Sequence, residues 1–336
     1  MFSRGPFSRS RVAIAAPLLV TLALAGCASP GATATPAEEQ TPTASGPFTV
    51  DNCGFDLTVD SAPERIVTIK STSTEMLLAL GLGDRIIGTA FPDGPAPEQW
   101  AADAETIPVI SDFAPSQEAV LDLEPDFVFG GWESNFTPEA AGDRETLATL
   151  GVGSYVSPAA CKGADYKPDP LTFDLVFDDI TEAGRIFGAS DAAADLVAQQ
   201  SAELADITAD DRGLSAVWYS SGTDIPYVGA GIGAPQMMLD TVGLTNIAAD
   251  VADTWSSLSW EAVVDANPSV IVLVDASWNT ADSKIELLES NPATAELDAV
   301  KNGHYLRIPF AAGEAGVRNV EATADLAEQL SALSDL

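Results

Sequence analysis

The chain holds one histidine and three cysteines among its 336 residues. That scarcity bounds the chemistry at once. His304 sits in Lys301-Asn302-Gly303-His304-Tyr305, a turn leading into a strand. A zinc site needs several His or Cys ligands at suitable spacing, and this set cannot supply them. A Ser-His-Asp relay would have to use His304, yet no Gly-x-Ser-x-Gly elbow exists to present a nucleophile. Neither a Gly-x-x-x-x-Gly-Lys-Ser/Thr phosphate loop nor a Gly-x-Gly-x-x-Gly fingerprint occurs. With 50 acidic side chains, accidental carboxylate pairs are certain and carry no argument. The residues call for no catalytic set, no cofactor and no metal; what remains is binding.

Binding candidates cluster where strands are expected to end. Lys70-Ser71-Thr72-Ser73-Thr74 leads from a strand into a helix. Unpaired amides at a helix start, hydroxyls and a cation together suit an anionic or polar group. Simple helix capping would also account for Ser71 to Thr74. Gly130-Gly131-Trp132 ends another strand, the glycines letting an aromatic ring approach a cleft. Tyr219 and Ser220 end a third, Tyr227 follows in a loop, and Trp255 precedes a helix. Aromatic rings at strand ends suit stacking on a flat or ring-rich guest, although each could equally be core. Arg318, after residues 311–317, is the second cation expected near a ligand; a surface ion pair is its alternative reading.

The elements that must position these residues alternate. Strands are predicted at residues 65–71, 86–90, 107–110, 127–130 and 152–156, and helices at 74–80, 117–123 and 138–150. Residues 174–208 read as almost purely helical, divided at Gly188 and Ser190, with Ser190 as the cap of the second helix. Alternation then resumes, with strands at 214–219, 269–274 and 305–309 and helices at 235–242 and 319–333. This predicts an α/β protein of two Rossmann-like lobes with parallel sheets, joined by a single long helix. The expected division is 48–189 for the first lobe, 190–208 for the connecting helix and 209–336 for the second lobe. An internal comparison supports it. Glu118-Ala119-Val120-Leu121-Asp122 through Pro125 and Phe127 matches Glu261-Ala262-Val263-Val264-Asp265 through Pro268 and Val270, 143 positions on. Two such lobes place a ligand cleft between them, at the carboxyl ends of the strands.

Residues 1–26 read as an export signal, with Arg4, Arg9 and Arg11 ahead of an apolar run too short to span a bilayer of about 20 residues comfortably. The run ends in Leu24-Ala25-Gly26-Cys27, which resembles the lipobox of bacterial lipoproteins; the resemblance implies cleavage before Cys27 and lipid on it. An ordinary secretory signal with a chance cysteine is the alternative. Residues 27–47, rich in Ala, Thr, Pro, Ser, Gly and Glu, read as a disordered tether. The chain carries a formal charge of −35, a balance that repels nucleic acid and anionic lipid. With Cys27 assigned to lipid, Cys53 and Cys161 remain. Outside the cell an even remainder favours one disulfide, with two buried thiols as the alternative.

Taken together, these residues resemble the extracytoplasmic binding proteins of ABC importers for cobalamin, haem and iron-siderophores. The matching stretches are Pro63-Glu64-Arg65-Ile66-Val67, the run from Thr74-Glu75-Met76 to Ile87-Gly88, Pro125-Asp126-Phe127-Val128, Trp255-Ser256-Ser257-Leu258-Ser259-Trp260-Glu261, Asn267-Pro268 and Ala299-Val300-Lys301-Asn302-Gly303. The resemblance implies a lipid-anchored, extracytoplasmic and monomeric binding protein that hands a small molecule to a permease dimer with its ATPase. It also implies that Glu118 and Glu261, one per lobe, dock on permease arginines; helix-start glutamates favoured by the macrodipole are the alternative. Cys53-Gly54, Ile69-Lys70-Ser71-Thr72-Ser73-Thr74-Glu75, Thr89-Ala90-Phe91-Pro92-Asp93-Gly94-Pro95 and Gly229-Ala230-Gly231-Ile232-Gly233-Ala234-Pro235 further resemble an actinobacterial subgroup associated with a deazaflavin coenzyme precursor. A phosphorylated, ring-bearing guest would suit Lys70, Arg318 and the aromatics. A lipid-anchored enzyme or chelatase on a similar scaffold, or a sensor module, are the other classes to weigh.

Overall fold

The computed structural model describes residues 46–334 and Leu336. The expected export signal, Cys27 and all of the tether but its last two residues lie outside the described residues. The described chain opens on a hairpin of β1 (Phe48–Asn52) and β2 (Phe55–Val59). Its two-residue turn, Cys53-Gly54, has positive φ at both positions, the geometry that matches strand twist in tight hairpins. The Asn52 amide pins the hairpin to the first lobe, donating to Val156 O and accepting from Val156 N–H. Cys53 is joined to Cys161 by a disulfide with Cα atoms 5.2 Å apart.

The first lobe is a five-stranded parallel sheet made of β3 (Ile66–Ile69), β4 (Ile86–Ala90), β5 (Val109–Ser111), β6 (Phe127–Gly130) and β7 (Gly153–Val156). Their spatial order is β5-β4-β3-β6-β7, so the strand direction of growth reverses at β3. The second lobe is built on β8 (Ser215–Ser221), β9 (Tyr227–Gly229), β10 (Thr245–Asn246), β11 (Trp255–Ser257), β12 (Val270–Asp275) and β13 (Tyr305–Pro309). Here β10, β8, β12 and β13 are parallel neighbours, while β9 and β11 attach antiparallel beyond β8. β3, β6, β8 and β12 read as near-continuous apolar runs because both faces are covered, as parallel sheets require.

The 143-residue repeat is real in three dimensions. Ser116 caps the helix Gln117–Leu121 by accepting from Ala119 N–H, and Ser259 caps Trp260–Ala266 by accepting from Ala262 N–H. Glu124 and Asn267 both hold a left-handed φ before Pro125 and Pro268, and β6 and β12 begin at Phe127 and Val270. Every feature keeps the same offset.

In place of the expected single long helix, two consecutive helices divided at Gly188, with its φ of 69°, connect the lobes. The helix Phe173–Ile186 starts beside the second lobe, where Leu171 N–H donates to Ile232 O, and buries Val176, Phe177 and Ile180 in the core that includes Phe129, Tyr155 and Phe187. The helix Ser190–Asp206 returns, and Asp210 N–H beyond its end donates to Val242 O. Gly184 lets the pair approach closely, since a Cβ there would lie 2.4 Å from that of Ala193. The expected Ser190 cap is corrected. Ala189 occupies the cap position, Ser190 is already helical, and no side chain caps this end. The helix expected at residues 138–150 is also shorter: it spans Arg144–Thr149 and is capped by Asp143. Gly142, with φ of 96° and the Gln117 side chain packed against it, turns the chain just before.

Candidate functional site

A cleft of about 600 Å³ lies between the lobes, walled by residues that follow β3, β6, β7 and β13 and by the last residues of β8. Five residues singled out in the sequence stand on its wall: Thr72, Trp132, Ser220, Tyr227 and Trp255. Tyr227 and Trp255 are stacked, with centroids 6.1 Å apart and planes 15° from parallel. The antiparallel register of β9 and β11 sets that pair, placing Trp255 opposite Gly229 and Tyr227 opposite Ser257. Gly131 gives the floor its closeness. A Cβ there would fall 2.6 Å from Thr72 Oγ1 and 2.8 Å from Lys70 Cβ.

The other four candidates are not among the residues lining the cleft, and each has a physical reason. Lys70 is 1% exposed, paired with Asp93, and its ammonium lies 4.0 Å from the Phe91 ring centroid and 3.8 Å from that of Trp132. Burial pushes the lysine below and the aspartate above their ordinary pKa values, and the attraction between them offsets part of both shifts. Ser71 donates its N–H to Asp93 Oδ2 and accepts from Asp93 N–H through Oγ, so its polar groups are spent on that loop. Tyr219 is buried against Trp260, and its hydroxyl donates to Gly222 O. Arg318 reaches across to the first lobe and pairs with Glu75 at 3.4 Å. Both scarce cations are therefore held by carboxylates and are not presented to a guest.

Sequence reasoning missed the opposite charge. Phe310 and Glu314 line the cleft just beyond the end of β13, and the rule that picked Trp132 beyond β6 would have found them there. Glu314 Oε2 accepts from Trp132 Nε1 at 3.0 Å, a bond that crosses from one lobe to the other. Lys167 and Asp253 make a second link at the mouth, 3.2 Å apart. Arg318 with Glu75 makes a third. Glu314 is pushed up to about 6, first by burial, then by the nearby Asp93 charge, with the Trp132 bond and Lys70 opposing.

Glu75 is 2% exposed, and burial raises it to about 7, the effect outweighing the lowering by Arg318. The sign follows from linkage. Between pH 4.5 and 7 the folded protein keeps a proton that the unfolded chain has released, so this group makes stability fall as pH rises through that window. A shift of this size corresponds to about 3 kcal/mol. Glu75→Gln is expected to flatten the decline in Tm between pH 5 and 7.5 in thermal melts at fixed ionic strength. A variant whose decline matches the parent's would remove Glu75 as its source.

Away from the cleft wall, Glu118 and Glu261 are exposed in the first turns of their helices, at equivalent points of the two lobes. His304 is buried at the turn entering β13.

Two α/β lobes, an intervening cleft and helical connections define a two-lobed binding protein of the class III periplasmic type. The chain belongs to the periplasmic binding protein family, whose sequence profile matches residues 66–312. It is 27% identical over 325 residues to the uncharacterized ABC transporter substrate-binding lipoprotein YvrC of Bacillus subtilis, covering 94% of this chain and 95% of the relative. It is 29% identical over 270 residues to a cobalamin-binding protein of Halobacterium salinarum, covering 74% of this chain and 66% of the relative. The structure of an ABC-type Fe3+-hydroxamate transport system protein from Saccharomonospora viridis superposes with a TM-score of 0.73 at 27% identity, over 84% of this chain and 98% of that one. Its family is one of binding proteins, not enzymes.

Proposed function

We propose that this chain is the lipid-anchored, extracytoplasmic binding component of an ABC importer, capturing a ring-bearing polar small molecule and delivering it to a permease with its ATPase. The observation that carries the reading is the aromatic wall of the cleft, where the stacked Tyr227 and Trp255 share one cavity with Trp132 and Phe310. Rings of this kind gain by stacking on a flat guest. Relatives are named for cobalamin and for iron-hydroxamate, and a deazaflavin precursor is a further ring-bearing candidate. Cys27 is the proposed lipid attachment, in keeping with the lipoprotein relative.

Glu118 and Glu261 are the proposed docking charges. Their equivalence in a near-twofold chain suits a twofold permease, so a monomer presents matching charges to both subunits. Trp255→Ala and Tyr227→Ala are each expected to weaken capture about tenfold or more, a buried aromatic anchor accounting for about 2 kcal/mol. Calorimetry with cyanocobalamin, a ferric hydroxamate and a deazaflavin riboside checks this, after mass spectrometry of whatever co-purifies. Unaltered affinity in both variants would displace the pocket.

A further inference from the structure

We infer that Glu314 is the recognition acceptor of the cleft, and that it selects guests presenting a hydrogen-bond donor or a cationic group over anionic guests. This deepens the ligand class and rests on the reading of the cleft as the capture site.

The carboxylate is built into place. Asn319 is fully buried; its amide donates to Ala312 O at 3.0 Å and to Glu314 O at 2.7 Å, while its Oδ1 accepts from Gly316 N–H. That brace fixes the loop that carries Glu314. On the side chain, Oε2 is held by the Trp132 indole, whereas Oε1 accepts no hydrogen bond from any described residue. One oxygen is positioned and the other remains open to a donor. The stacked rings of Tyr227 and Trp255 line the same cavity, and their π faces favour a positive group, whereas Trp132 and Phe310 already neighbour the Lys70 ammonium.

The cations that would counter this preference are committed elsewhere. Lys70 belongs to Asp93 and Arg318 to Glu75, and neither lines the cleft. Of the two lysines that do, Lys167 is paired with Asp253, and Lys162 is exposed. An anionic group seated deep in the cleft would meet Glu314 in a partly dehydrated setting, where like charges repel strongly. An amide N–H, a hydroxyl or an amidinium would instead complete the acceptor's second bond.

Three probes of one shape separate the possibilities: benzamidinium, benzamide and benzoate. The full chain is labelled with 15N-tryptophan and titrated at pH 7.5, following the Trp132 indole N–H, assigned by its loss in W132F. Benzamidinium and benzamide are expected to shift that resonance and saturate, with benzoate at least tenfold weaker. In E314Q, which keeps the shape and an acceptor for Trp132, the gap between benzamidinium and benzoate is expected to shrink to within threefold. The remaining indole resonances report whether E314Q is folded, and W132F retains Glu314 and should keep the charge order, read by calorimetry. Benzoate binding as well as benzamidinium, no response to benzamidinium, or a preference that survives E314Q overturns the assignment. The importer reading is decided separately, by uptake in docking variants, so each can fail without the other.

Discussion

Cells carrying the double reversal Glu118→Lys with Glu261→Lys are expected to lose uptake, while the purified variant keeps its ligand affinity within about threefold. Both side chains are exposed and neither lines the cleft, so capture has no contact to lose. Folding should suffer little. Each residue lies in the first turn of a helix, and placing a cation there costs about 0.3–1 kcal/mol through the helix dipole. Docking is different. An arginine facing each glutamate would meet a lysine, and like charges brought together at an interface cost several kcal/mol. Two sites together weaken the complex by about three decades or more, at 1.4 kcal/mol per decade. Each single reversal should give an intermediate loss, because the repeat makes the two sites equivalent. The check is uptake of the ligand found to co-purify, beside calorimetry on the same variants. Undiminished uptake in the double variant removes the docking assignment.

A second large effect is expected inside the first lobe. Asp93→Ala strands the Lys70 ammonium, which is 1% exposed and lies against the Phe91 and Trp132 rings. Removing one partner of a buried ion pair costs about 3–5 kcal/mol. Against a total stability of about 5–15 kcal/mol, that is enough to move a urea midpoint far downward. The loss comes from the unpaired charge and not from an intrinsic strength of the pair. Replacing both, Lys70→Met with Asp93→Leu, is therefore expected to recover most of it. Urea unfolding of the two variants beside the parent decides the matter. A cost below about 1 kcal/mol for Asp93→Ala would mean that the lysine is not confined as described.

How much was legible in the sequence depends on the range of the interaction that decides each feature. β4, β6 and β13 were readable to the residue, because apolar β-branched runs bounded by turn residues are local signals. The equivalence of Glu118 and Glu261 was readable as well, since a repeat with constant offset needs only comparison along the chain. The helix expected at residues 138–150 overran because residues 138–141 close as turns and Gly142, packed against the Gln117 side chain of another element, takes a positive φ. β9 and β11 were not visible as strands. Each has three residues, too few for a periodic pattern, and they exist because they pair with each other and with β8.

The alternation of strands and helices, the doubling of the lobe and the poverty of catalytic groups were properties of the chain itself. All three follow from which residue types occur and at what spacing. The character of the cleft was decided only on folding. Lys70 and Arg318 read as open cations, yet their partners lie 23 and 243 residues away, and Glu314, although just beyond a readable strand, meets its Trp132 partner 182 residues away. A charge buried among packed elements must find its counter-charge wherever the fold brings one, so which groups are left facing the guest is settled by tertiary contacts alone.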